Sequence, residues 1–120
     1  MTQEDKELLI KDLCARLPYE VKVKFYDHWV DEYEIIPLTA KLLAETVYIG
    51  DIKPYLFPLS SMTEEQKTEL TELMYKADTP FGAIFSENID CFDWYNKNHF
   101  DYRGLIPKGL AKDATGLNIY

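Results

Sequence analysis

At Pro18 the spacing of apolar residues switches from helical to alternating, and this switch commits the chain to combining helix with sheet. Before it, Leu9, Ile10, Leu13 and Leu17 recur at three- and four-residue intervals, while Glu4, Asp5, Lys6, Glu7, Lys11 and Asp12 fall mostly on the other side. That pattern predicts an amphipathic helix over residues 2–17. Thr2 is placed to cap it with Asp5 three residues on, acids gather where the helix dipole is positive, and Arg16 occupies the last turn. After it, Val21, Val23 and Phe25 alternate with Lys22, Lys24 and Tyr26, which predicts a strand with one buried and one wet face and Phe25 pointing inward.

A polar break at residues 27–32 precedes a second predicted strand over residues 33–38, where Pro37 lacks a ladder donor and marks an edge, a bend or an end. Residues 45–49, rich in β-branched and aromatic side chains and closed by Gly50-Asp51, predict a third strand. The intervening 39–45 suits either a short helix or extended chain, and its place between strands favours the extended form. Pro54 and Pro58 bias residues 52–59 towards an extended connector laid over the core.

The clearest helix start follows, with Thr63 as N-cap, Gln66 as its capping-box partner, Glu64 and Glu65 in the first turn, and Met62 able to staple onto Lys67 or Leu70. This helix should run from residue 64 to residue 76. Residues 81–86 read as strand or loop, and a third helix, capped near Asn88 or Asp90, should pass through Trp94 and end near His99. Gly104, Pro107, Gly109 and Gly116 make residues 100–120 look irregular, with residues 111–120 expected to fray. The predicted fold is therefore a single α+β domain over residues 1–120. Its small antiparallel sheet comes from residues 20–55, with the N-terminal helix and two later helices packed on one face.

With 13 basic against 21 acidic side chains the formal charge is −8, spread evenly along the chain. That balance argues against a protein that neutralises nucleic-acid phosphates or docks on an anionic membrane. Cys14 and Cys91 sit far apart among apolar neighbours and read as two buried thiols in a reducing compartment. The polar, acidic N-terminus and the lack of a long apolar run point to a cytoplasmic protein.

Chemistry has few footholds. His28, His99, Cys14 and Cys91 match no metal-ligand spacing, so neither a metal nor a cofactor is expected, and Ser60, Ser61 and Ser86 lie in no nucleophile elbow. The densest group is Asp93, His99, Asp101 and Arg103, in which His99 beside a carboxylate suggests a general base and Arg103 an anion holder. The plainer reading gives Asp93 and Lys97 an exposed ion pair and lets Asp101 and Arg103 fix a turn. The rings of Phe92, Trp94, Tyr95, Phe100 and Tyr102 read chiefly as core, Phe92 above all, and secondarily as a protein-binding surface.

Two stretches, Lys53-Pro-Tyr-Leu-Phe-Pro-Leu-Ser-Ser-Met-Thr-Glu-Glu65 and Asp93-Trp-Tyr-Asn-Lys-Asn-His-Phe-Asp-Tyr-Arg-Gly-Leu-Ile106, resemble a group of short proteins encoded by phages and prophage-like regions of Bacteroides-type gut bacteria. The likeness covers the middle and the C-terminal third. It implies a phage accessory role and carries no catalytic residues to this chain. The expected function is thus a small non-enzymatic interaction protein that binds another protein through Trp94, Tyr95, His99, Tyr102 and Arg103. The rivals are a small enzyme centred on His99 and Asp101, and an acidic inhibitor that imitates DNA. The sequence leaves partner and oligomeric state open.

Overall fold

The computed structural model describes residues 1–75 and 91–120. The first helix, α1 (Gln3–Arg16), starts where the sequence places it: Thr2 Oγ1 accepts the Asp5 N–H at 3.1 Å. It gives way to a 3-10 turn holding Pro18, and the chain reverses at Glu20, whose φ of +57° is left-handed. Leu9 and Leu13 are fully buried, but the polar side is not wholly solvated: Asp12 is fully buried too, whereas Ile10 is exposed.

Next come β1 (Lys22–Asp27) and β2 (Glu32–Pro37), an antiparallel hairpin pairing Val23 with Ile36 and Tyr26 with Tyr33. Pro37 is the last residue of β2, and β2 is an edge strand, in keeping with its missing donor. Residues 39–49 then depart from the expected extended chain and third strand. They form α2 (Ala40–Glu45), with Thr39 Oγ1 capping the Leu42 N–H, then an irregular turn and a 3-10 turn over Ile49–Asp51. The physical reason is a strong local cap combined with nothing for the β-branched run to pack on. Val47 and Tyr48 face solvent, so their strand propensity finds no sheet.

The true third strand is β3 (Ile52–Leu56), inside the segment predicted as a connector. It lies antiparallel to β1, with Val23 opposite Pro54, Lys24 opposite Lys53 and Phe25 opposite Ile52. On its other side it meets β4 (Lys112–Asp113) in parallel, and that ladder begins at Tyr55, beyond the donor-less proline. The sheet order is β2-β1-β3-β4, so the architecture is α+β as predicted, with a parallel edge strand added from the C-terminal segment. Residues 111–120, expected to fray, are tied down. Ala111 and Ala114 are buried, Tyr120 Oη donates to the Tyr55 carbonyl at 2.7 Å, and Lys22 Nζ donates to the Ile119 carbonyl.

One sheet face carries the main core. Val21, Val23, Ile52 and Leu56 meet Leu9 and Leu13 of α1, with Leu38, Leu105, Leu110 and Ala111 closing the sides and Phe25 packing at the margin. The predicted inward set of Val21, Val23 and Phe25 therefore holds. A second cluster forms where β3 runs out. There α3 (Glu64–Tyr75) brings Leu70, and a helix α4, described over residues 91–97, brings Cys91 and Trp94 onto Phe100, with Phe57 and Met62 beside them. The capping box of α3 is present in both directions: Gln66 N–H donates to Thr63 Oγ1 at 3.2 Å, and Thr63 N–H to Gln66 Oε1 at 2.8 Å. The predicted end of α3 at residue 76, the cap of α4 and the run 81–86 lie outside the described residues.

Candidate functional site

The residues singled out in the C-terminal third are brought together, but mostly to hold the chain in place. Phe57 N–H donates to the His99 carbonyl at 2.7 Å and Asp101 N–H to the Phe57 carbonyl at 2.9 Å, which lashes the segment to the end of β3. Trp94 is buried, at 6% exposure, and stacks on Phe100 with ring centroids 5.5 Å apart. Phe92, expected in the core, is 45% exposed and stacks on Tyr102 from outside. Residues two apart lie on nearly opposite sides of a helix, so with Trp94 turned inward Phe92 faces out. Tyr102 also stacks on Tyr95 at 5.4 Å and takes the Arg103 guanidinium over its ring at 4.7 Å.

Beneath these rings lies an ionic clamp. Asp12 accepts from Arg16 Nε at 2.8 Å and from Arg103 Nη1 at 3.0 Å, and Arg16 Nη2 donates to the Phe100 carbonyl at 2.6 Å. Asp12 and Arg16 are both fully buried. Hydrogen bonds at both carboxylate oxygens are what offset the cost of stripping water from such a pair. Arg103 is thus committed to Asp12, and the expected Asp101–Arg103 turn is made by Asp101 alone.

His99 and Asp101, the acid–base candidates, occupy unlike settings. Asp101 is buried at 7% exposure, with both oxygens taken by the backbone N–H groups of Leu105 and Ile106 at 2.8 and 2.9 Å. His99 adopts a left-handed φ of +62°, and its ring stacks flat on Tyr120 at 3.8 Å. Burial, assisted by the nearby Arg16 charge, lowers its pKa from 6.5 to about 4, and its Nδ1 finds no hydrogen-bond partner among the described residues. Burial likewise pushes the Tyr120 hydroxyl up to about 12. Asp93 and Lys97 are both exposed, but the expected ion pair between them is not formed. Cys14 is an exposed thiol and Cys91 is buried, so the reading of two buried thiols holds for Cys91 alone. Among the described residues no group of His, Cys, Asp and Glu is placed to hold a metal ion, and no helix is long and apolar enough to cross a membrane.

Two features at the other end of the molecule have no counterpart in the sequence reading. At the β1–β2 turn Trp29 is 97% exposed, and its backbone N–H donates to Asp27 Oδ1 at 2.9 Å, which fixes the turn. It borders a hollow of about 560 Å³ shared with Phe25, Leu42, Val47 and Tyr48 and rimmed by the carboxylates of Asp27, Glu45 and Asp51. Val47 and Tyr48 are 84% and 66% exposed. Across the His28–Asp51 pair, joined at 2.7 Å, a smaller cleft of about 280 Å³ opens on the sheet face opposite α1, lined by Lys24, Lys53, Lys112, Tyr26 and Tyr33. The lone clue to the hollow was Trp29 in a polar turn. The cleft needs residues from three strands whose register no local pattern discloses.

No protein-family model matches the chain, and no curated protein and no solved structure matches it significantly.

Proposed function

We propose that this chain is a small non-enzymatic binding protein that recognises a segment of another protein carrying apolar and basic side chains, seated in the hollow at the hairpin end. The observation that carries this reading is the near-complete exposure of Trp29 together with Val47 and Tyr48 around one concavity. Large apolar side chains concentrated in a hollow of binding-site size give a partner's side chain somewhere to go, and Trp and Tyr are the residues that most often dominate such contacts. Glu45, whose carboxylate has no partner among the described residues, favours a basic occupant, while Asp27 and Asp51 in the same lining are already engaged by the Trp29 N–H and by His28. Such a module suits the accessory role that the resemblance implies. Trp94, Tyr95, Tyr102 and Arg103 are less suited to first contact, because stacking and the Asp12 clamp already engage them. The enzyme alternative gains nothing from Asp101, whose oxygens are both occupied.

Selection from a random peptide library tests the proposal. The wild-type chain should enrich peptides in which large apolar residues alternate with Lys or Arg, and Trp29→Ala or Val47→Ser should abolish the enrichment while the fold persists. Enrichment that survives both substitutions, no enrichment at all, or self-association through this surface in sedimentation would overturn it.

A further inference from the structure

The sheet face opposite α1 holds, among the described residues, a charge arrangement that folding does not call for. Lys24 of β1 and Lys53 of β3 are direct cross-strand partners, and Lys112 enters from β4 opposite Tyr55, so three adjacent strands each contribute a lysine to the lining of one cleft. Like charges placed opposite each other in a ladder destabilise it. The chain has acids to spare, with 21 against 13 basic side chains, yet among the described residues none of these three lysines makes an ion pair. The one carboxylate lining the cleft, Asp51, is engaged by His28. Lys24 does rest over the Tyr33 ring at 4.3 Å, but Lys53 and Lys112 have no comparable support. Lys22, two residues earlier on the same strand face, differs: it is consumed by the Ile119 carbonyl.

We propose that this cleft is a binding site for a phosphate-bearing anion. Ammonium groups act as point charges on phosphate oxygens, and three from separate strands suit a multiply charged group better than a single carboxylate. The rings of Tyr26 and Tyr33, 5.0 Å apart, give the cleft walls of low polarity, which strengthen the field between the charges and an anion. At about 280 Å³ the cleft lies at the small end of ligand sites, which selects a compact phosphate ester or diphosphate. The overall charge of −8 opposes a long polyanion, so a small ligand is favoured over a nucleic-acid strand. The cleft shares its His28–Asp51 wall with the apolar hollow, but its three lysines line the cleft alone.

Calorimetric titration of the full chain with inorganic pyrophosphate tests the assignment, using Lys53→Gln and Lys112→Gln as site variants and the exposed Lys108→Gln as control. Pyrophosphate should bind saturably and raise the melting temperature. Each site variant should weaken binding roughly tenfold or more, as expected for losing a charged hydrogen bond, while Lys108→Gln leaves it unchanged. Because Lys53→Gln relieves repulsion, its unliganded melting temperature should not fall, which separates lost binding from lost fold. A short single-stranded oligonucleotide forms the second arm: binding that pyrophosphate displaces and Lys53→Gln weakens would mean that the phosphate belongs to a polymer. Absence of saturable binding by either ligand, or binding that Lys53→Gln and Lys108→Gln affect equally, would overturn the assignment.

Discussion

Asp12 illustrates how much a single side chain can hold. It joins α1 to the C-terminal segment through Arg16 and Arg103, and removing it would leave Arg16 charged, fully buried and short of its ion-pair partner. Asp12→Ala should therefore destabilise the protein by about 3–5 kcal/mol in urea melts, the range for breaking a buried pair from one side. Part of this was legible: Leu9, Asp12, Leu13 and Arg16 share the i, i+3, i+4, i+7 spacing that marks the buried stripe of a helix. What hid it was chemistry, since charged residues are assigned to solvent unless a partner is known, and Arg103 lies 91 residues from Asp12. His99 offers a second test at this scale. Its pKa is held near 4 by burial and then by Arg16, against an ordinary 6.5, so the unfolded chain takes up a proton that the folded chain refuses. The contribution of neutral His99 is complete above about pH 6.5 and is lost progressively as pH falls to about 4. Denaturant melts across that interval should show the loss, and His99→Asn, which tolerates the left-handed backbone, should shrink it.

Among the elements, those written in local code were readable and those written in register were not. The caps of α1 and α3, the alternation in β1 and the hairpin with β2 each depend on residues within a few positions of one another. Thr63→Ala should accordingly cost about 1 kcal/mol, seen as a lower denaturation midpoint with an unchanged slope. Residues 45–49 misled because β-propensity expresses packing against neighbours, and Val47 and Tyr48 stay largely exposed there. β3 was obscured by Pro54, which the sheet tolerates because the β4 ladder starts one residue later. β4, only Lys112 and Asp113, carries no local signal at all. The lysine face is half legible: alternation puts Lys22 and Lys24 on the wet side of β1, but their neighbours depend on strand order.

Over the whole molecule, the described residues divide their work between two regions. The C-terminal segment, with Trp94, Phe100 and Asp101 buried, closes the structure over α1 and the end of β3. The hairpin end leaves Trp29, Val47 and Tyr48 uncovered beside the lysine cleft. The proposed recognition falls to the second region and the stability to the first, although the sequence alone drew attention to the aromatic C-terminal third. Denaturant melts of Trp29→Ala and Trp94→Ala, run side by side, decide where the stability lies. Trp94→Ala should lose about 3–5 kcal/mol by emptying a packed site, whereas Trp29→Ala should stay within about 0.5 kcal/mol of the parent, as for a surface change. A Trp94→Ala protein as stable as its parent, or a Trp29→Ala protein that unfolds early, would contradict the account.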